Sequence, residues 1–125
     1  MSLPSVYPVL RYKDVAAAIE FLTTAFGLGE HQIDRDPGDD SRIVHAELSW
    51  GTGIVMIGPS EEPTPGHVYL AVDDPDGLHD RAVAAGAEIT MPLVDQHYGS
   101  REFGAKDPEG NQWSFGTFRP APTSD

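Results

Sequence analysis

Hydrophobic residues recur at helical spacing in one segment near the start of the chain. The positions that share one helix face are Val15, Ala18, Ile19, Leu22 and Phe26. Asp14 precedes this segment, and its carboxylate is suited to accept a free N–H of the first turn. Gly27 follows, where a helix commonly ends in a positive φ, and Leu28 can then fold back onto the last turn. The pattern predicts an amphipathic helix over Val15–Phe26.

A second segment repeats this arrangement later in the chain. Asp74 is followed by Pro75, which suits the first position of a helix, and Gly86 ends the segment. The predicted helix covers Pro75–Ala85, with inward positions Leu78, Ala82 and Ala85. The two capping aspartates are 60 residues apart and the two terminating glycines 59. This regular offset indicates an internal duplication.

Short apolar and alternating segments surround each helix. One strand precedes each helix, in the segments that open with Val6–Asp14 and, after His67, with Val68–Asp74. Three strands follow each helix: Glu30–Asp34, Arg42–Trp50 and Ile54–Gly58 in the first half, and Glu88–Val94, Arg101–Lys106 and Asn111–Phe118 in the second. Polar loops are predicted at Arg35–Ser41 and Asp95–Ser100. The sequence therefore predicts an α+β fold with two tandem β-α-β-β-β modules.

The two modules form one predicted domain over residues 5–118. Module one covers residues 5–58 and module two residues 67–118. The linker 59–66 is rich in Pro and Glu, and we expect residues 119–125 to be a flexible tail.

Composition narrows the classes of function. The 125 residues include no cysteine, which excludes disulfides, thiolate metal sites and cysteine nucleophiles. Eight basic residues against 20 acidic ones give a formal net charge of −12, which disfavours nucleic acid and anionic membranes as partners. The same charge attracts cationic small molecules. The N-terminal residues show no secretory pattern, so we expect a cytoplasmic protein.

Sequence motifs in both halves of the chain resemble those of a known family. His97–Arg101 followed by Lys106–Trp113, and His45–Leu48 with Met56–Gly58, resemble the glyoxalase/bleomycin-resistance/dioxygenase family of the vicinal oxygen chelate superfamily. This resemblance implies that the modules form a cup-shaped mixed sheet around one cavity. It also implies a homodimer.

The resemblance assigns four positions where metal-dependent members carry their ligands. Here these positions are occupied by Tyr7, Met56, His67 and Ser114. Only His67 is a good ligand for Ni, Zn, Fe or Mn, since a thioether is soft and a neutral hydroxyl binds weakly. We therefore expect neither a metal nor another cofactor, and we expect these four residues to form the floor of a ligand-binding cavity.

Two further polar residues, His45 and Glu47, lie on the predicted strand Arg42–Trp50. His45 and Glu47 alternate onto the same face, and together with His67 they could form a two-His-one-carboxylate triad. The commoner explanation, which we favour, is a half-buried strand whose polar face meets water or the cavity rim. Its apolar face would then consist of Val44, Ala46, Leu48 and Trp50.

Three other residues are candidates for ligand contact. Tyr98 and Arg101 flank Gly99 in the loop over module two, where they could form a lid with an anion or ring-stacking contact. The alternative for Arg101, which we favour, is an ion pair with a carboxylate of this acidic chain. Trp50 could be a stacking wall or part of the core. The resemblance implies that Ser114 faces the cavity, which makes Trp113 a core residue. The remaining histidines are expected to be solvated: His31, His79 and His97.

The sequence leaves three functions open. The first is a metal-independent protein that binds a small molecule, such as a cationic aromatic drug. The second is an enzyme that uses the cavity, either a glyoxalase-like lyase or isomerase with His67 as its base, or a dioxygenase-type enzyme. The third is a dimeric module with a vestigial cavity.

Overall fold

A computed structural model describes residues 3–121 of the chain. Its elements, in chain order, are β1 Val9–Tyr12, α1 Val15–Ala25, β2 Gly29–Asp36, β3 Asp39–Trp50, β4 Gly53–Pro59, β5 His67–Ala71, α2 Pro75–Ala84, β6 Glu88–Asp95, β7 Arg101–Lys106 and β8 Gln112–Gly116. Most of the tail predicted over 119–125 lies outside the described residues. Within the described residues, no helix is both long and apolar enough to cross a membrane.

The strands form two four-stranded mixed sheets with the same topology. The strand orders are β1-β4-β3-β2 and β5-β8-β7-β6. In each sheet the first strand pairs in parallel with the last, so that Val9 lies opposite Met56 and Tyr69 opposite Ser114. The other pairings are antiparallel. The prediction of an α+β fold with two β-α-β-β-β modules is confirmed.

The predicted helix caps are present in both modules. The carboxylate of Asp14 accepts from the N–H of Ala17 at 3.0 Å, and Asp74 accepts from Gly77 at 3.1 Å. Gly27 and Gly86 have φ of +79° and +85°, as expected for residues that end a helix. Each helix ends one residue earlier than predicted, because Phe26 and Ala85 are the C-caps.

Two details of the predicted modules were wrong. Ala85 was expected on the inward face of α2, but as the C-cap it is exposed. The loop predicted over Arg35–Ser41 is mostly strand, since β2 continues to Asp36 and β3 begins at Asp39. The turn between them is tight, because the Asp36 carboxylate accepts from the N–H of Gly38 at 2.8 Å. The two exposed strand ends carry few apolar residues, so their local pattern is that of a loop.

An aromatic cluster joins the two modules. The ring of Phe26, at the end of α1, lies 5.7 Å from Trp113 and 4.9 Å from Phe115 in the second sheet. Phe115 in turn stacks on Phe103 at 4.7 Å. Trp113 is fully buried, which confirms its predicted place in the core. The helix of module one therefore packs on the sheet of module two.

A buried carboxylate reinforces this contact. Asp107, in the turn before β8, accepts from the hydroxyl of Tyr12 at 2.6 Å and from the indole N–H of Trp113 at 3.1 Å. Burial, followed by the hydrogen bond to Asp107, raises the pKa of Tyr12 well above its usual range. The phenol is thus kept neutral, and it donates across the boundary between the modules.

Module two also caps both ends of α1. The Glu109 carboxylate accepts from the backbone N–H groups of Lys13 at 2.7 Å and Asp14 at 3.0 Å, just before the helix. At the other end, the guanidinium of Arg81 donates to the carbonyls of Thr24 and Thr23 at 2.8 and 3.0 Å. An anion at the N-terminus and a cation at the C-terminus both favour the helix dipole.

Candidate ligand-binding site

The first pair of predicted floor residues comes together in the second sheet. Alternation along β5 and β8 turns Val68 and Trp113 toward the core and leaves His67 and Ser114 on the opposite face. The imidazole Nε2 of His67 lies 2.7 Å from the Ser114 hydroxyl. The register that places these two strands side by side thus brings two of the four expected floor residues into contact.

His67 and Ser114 line a depression of about 470 Å³, which we name the second-module cup. Its lining residues all follow the linker: His67, Tyr69, Tyr98, Glu102, Ser114, Phe118 and Pro120. Its volume lies within the usual range for small-molecule sites, and its walls are mainly apolar with a few polar groups.

The cup contains one residue that the sequence analysis did not select. Glu102 is only 9% exposed, and its carboxylate accepts from the Tyr98 hydroxyl at 2.9 Å. The amide of Gln96 lies within 3.4 Å of the same oxygen. The alternation of β7 was the available signal, because it turns Phe103 to the core and therefore Glu102 to the cup.

The aromatic walls surround this carboxylate. The rings of Tyr98 and Phe118 are 6.1 Å apart and nearly perpendicular, and the Tyr69 hydroxyl donates to the Phe118 carbonyl at 2.6 Å. A Cβ at Gly116 would approach the Tyr69 hydroxyl to 2.8 Å and the second Glu102 oxygen to 3.0 Å. Gly116 therefore leaves the space in which these two side chains lie.

Both tyrosines remain protonated at neutral pH. The hydrogen bond to Glu102 is the main reason why the pKa of Tyr98 is raised above its ordinary value. Burial is the main cause of the raised pKa of Tyr69, and the charge of Glu102 adds to it. The cup therefore combines neutral phenols with a carboxylate at its wall.

The other two expected floor residues belong to module one. Met56 belongs to β4, and Tyr7 precedes β1. Neither lines the second-module cup, so the four family positions separate into one pair per module. A thioether, a phenol, a hydroxyl and one imidazole do not fit a Ni, Zn, Fe or Mn centre. Over residues 3–121, no three His, Asp or Glu side chains are grouped so as to hold a metal ion.

His45 and Glu47 lie close together on β3, as expected, but His67 lies on the second sheet and does not join them. His45 Nε2 lies 2.9 Å from one Glu47 oxygen, and His31 Nε2 lies 3.8 Å from the other. The triad considered with His67 does not form, since His67 is on the second sheet next to Ser114. Ala46 and Leu48 on the opposite face of β3 are fully buried, as a half-buried strand requires.

The remaining candidates make internal contacts outside the cup. Arg101 pairs with Asp76 at 2.6 Å and with Asp95 at 3.2 Å, which is the ion-paired alternative. The indole N–H of Trp50 donates to the Ala71 carbonyl at 2.7 Å, while the ring packs against the core.

One of the three histidines expected to be solvated departs from that expectation. The ring of His79 packs edge-on against Phe103 at 5.2 Å, and its side chain is only 22% exposed. The helical spacing of α2 turns it partly toward the second sheet. His97 lies on the loop, 5.2 Å from the ring of Tyr98.

A larger depression of about 690 Å³ lies between β5 and the turn that follows Trp50. Its two charged lining residues, Asp73 and Arg119, pair with each other at 3.0 Å. Its remaining lining is largely apolar side chains and turn backbone. The smaller second-module cup has the more specific chemistry, because a carboxylate, an imidazole and a hydroxyl converge there.

Comparison with known proteins agrees with this fold. Residues 5–115 match the family described as the Glyoxalase/Bleomycin resistance protein/Dioxygenase superfamily. The match covers most of the chain, and the chain belongs to this superfamily.

Individual relatives were found by sequence and by structure. The uncharacterized protein Mb0911c of Mycobacterium bovis is 35% identical over 90% of this chain and 82% of its own length. The crystal structure of TioX from Micromonospora sp. ML1 is 34% identical, with a TM-score of 0.80 over 90% of this chain and 97% of that one. A lactoylglutathione lyase from Agrobacterium tumefaciens shares the fold at 21% identity, with a TM-score of 0.69 over 90% and 93% of the two chains.

Proposed function

We propose that this chain is a metal-independent protein that binds a small, cationic, aromatic molecule in the second-module cup. The observation that carries the proposal is the composition of the cup. Three aromatic rings provide apolar area, while His67, Ser114 and Glu102 provide polar groups that can orient a ligand. Such a protein acts by sequestering its ligand, without chemical conversion.

The charge of the site supports a cationic ligand. The whole chain carries a formal net charge of −12, which raises the local concentration of cations around it. Within the cup, Glu102 is the one carboxylate among the lining residues. An anionic ligand would meet both the general field and this local charge.

We also propose a homodimer with an isologous interface. Along β1 and the segment before it, Val6, Tyr7 and Val9 remain 82%, 37% and 48% exposed. β1 and β5 are edge strands of their sheets, and exposed edges with apolar side chains are commonly covered by a partner. A second copy of the chain would provide such a cover.

One observation favours a second candidate, a metal-free enzyme. The Ser114 hydroxyl contacts His67 Nε2 at 2.7 Å and so helps to position an imidazole, a side chain that can act as a general base, in the cup. In this alternative, His67 removes a proton from a substrate in the cup, as a lyase or isomerase would require. The described residues provide no hydrogen-bond partner for the second ring nitrogen of His67, so this base is less firmly oriented than in established triads.

The test compares two ligands that differ mainly in charge. Chelator-treated protein is titrated with 1-naphthylmethylammonium and with 1-naphthoate by isothermal titration calorimetry. The comparison separates the contribution of the aromatic group to the affinity from that of the ligand's charge. We expect the cation to bind more tightly and its association to weaken as salt rises. His67→Ala weakens binding by about 1–3 kcal/mol if its ligand partner is left unpaired.

The matched control is His31→Ala, which removes an exposed histidine from module one. It leaves the affinity unchanged. Tighter binding of the anion, or equal losses in the two variants, contradicts the proposal. Recovery of a chemically altered ligand after incubation would instead support the enzyme.

A further inference from the structure

The Glu102 carboxylate differs from most acidic side chains of this protein in its burial. Its relative exposure is 9%, and its hydrogen-bond partners are the neutral Tyr98 hydroxyl and Gln96 amide. Within residues 3–121, no Lys, Arg or His side chain forms an ion pair with it. A buried carboxylate without a counter-ion is costly, and a cation placed beside it removes part of that cost.

The groups around Glu102 indicate which kind of cation fits. Tyr69, Tyr98 and Phe118 line the same cup, and Tyr98 and Phe118 meet at a nearly perpendicular angle. The faces of aromatic rings attract cations but offer no lone pairs to N–H donors. A primary ammonium group needs three acceptors, whereas a methylated ammonium group presents methyl groups that pack against rings.

We infer that Glu102 and the rings of Tyr69, Tyr98 and Phe118 form a subsite for a quaternary or fully methylated ammonium group. The inference rests on the proposed binding function of the same cup, and it specifies the chemical class of the ligand's cationic end. His67 and Ser114, which line the same cup, are then available to contact the remainder of the ligand.

Three small probes that share a two-carbon alcohol arm test the subsite directly. Choline carries the quaternary group, 3,3-dimethylbutan-1-ol is its neutral isostere, and ethanolamine carries a primary ammonium group. Each is titrated into ¹⁵N-labelled protein, with backbone chemical shifts as the readout. We expect shifts confined to the cup, and an affinity for choline about tenfold higher than for the neutral isostere. Ethanolamine binds more weakly than choline.

Three variants separate the contributions to choline affinity of the Glu102 charge, the Tyr98 ring and the net charge of the chain. Glu102→Gln retains an acceptor oxygen for Tyr98 and lowers choline affinity severalfold, toward that of the neutral isostere, because the rings still attract the cation. Tyr98→Leu, on the half-exposed loop residue, lowers it severalfold and keeps the protein folded. Glu30→Gln makes the same change in net charge at an exposed position of module one and leaves the affinity unchanged.

The outcomes distinguish this inference from the proposed function. Equal binding of choline and its isostere, tighter binding of ethanolamine, or an unchanged affinity in Glu102→Gln overturns the ammonium subsite. If 1-naphthylmethylammonium still shifts the cup resonances in that case, the binding function stands without it. If neither choline nor the naphthyl compound shifts any cup resonance, both proposals are overturned.

Discussion

The hydroxyl of Tyr12 should make a measurable contribution to the stability of the whole chain. Tyr12→Phe removes the donor that lies 2.6 Å from the buried Asp107 carboxylate, and it leaves the ring and its packing in place. A hydrogen bond to a charged group contributes about 1.5–3 kcal/mol. The affected Asp107 oxygen retains Trp113 at 3.1 Å and the Asn111 amide at 3.2 Å. We therefore expect a loss of about 2 kcal/mol at pH 7, near the lower part of that range.

The pH dependence of this loss provides an independent test. Burial and the Asp107 hydrogen bond raise the pKa of Tyr12 in the folded protein. Above about pH 10, the unfolded chain loses the Tyr12 proton while the folded chain keeps it. The unfolded state then binds fewer protons, so the free energy of unfolding falls as pH rises, by about 1.4 kcal/mol per pH unit. The Tyr12→Phe variant lacks this titration, and the difference between the two proteins should nearly vanish by about pH 11.5.

Urea denaturation followed by circular dichroism, at several values between pH 7 and pH 11.5, measures both effects. Tyr7→Phe is the matched control, because Tyr7 is partly exposed and makes no hydrogen bond through its hydroxyl in the described structure. We expect it to stay within about 0.5 kcal/mol of the parent protein. A Tyr12→Phe protein as stable as the parent, or a difference that stays constant with pH, would refute the reasoning.

Three other predictions concern packing, metal and assembly. Arg81→Met removes the donors to the Thr23 and Thr24 carbonyls and should lower the free energy of unfolding, measured in urea, by about 1–2 kcal/mol. Arg119→Met, at an exposed ion pair, should lower it by less than about 0.5 kcal/mol. Elemental analysis of untagged protein should find less than one equivalent of Ni, Zn, Fe or Mn per chain, and chelator should leave the melting temperature unchanged; a full equivalent lost with His67→Ala would contradict this. Light scattering at micromolar concentration should give the mass of a dimer, and a monomer mass would be evidence against it.

The repeated local signals made the fold predictable. Asp14 and Asp74 cap helices, and Gly27 and Gly86 end them, because each of these functions depends on a residue and its immediate neighbours. Apolar alternation then located the strands. The ends of β2 and β3 were missed because their exposed residues need no apolar side chains, and pairing between the strands alone defines them.

The site was only partly predictable. His67 and Ser114 followed from the repeat and the family resemblance, and they do lie in contact. Glu102 was missed because its burial arises from Tyr98, Gln96 and Gly116, which the chain brings together only after the loop before β7 is folded. Tyr7 and Met56 do not line the cup that contains His67, and which residues share a depression depends on tertiary packing that no local pattern encodes.

A crystal structure of chelator-treated protein with 1-naphthylmethylammonium would test the central claim most directly. The account predicts that density for the compound lies in the second-module cup, with its ammonium group beside Glu102, Tyr98 and Phe118, its naphthyl group toward His67 and Ser114, and no metal at His67. An empty cup at a compound concentration that saturates the protein in solution, or a metal ion held by His67, would contradict the account.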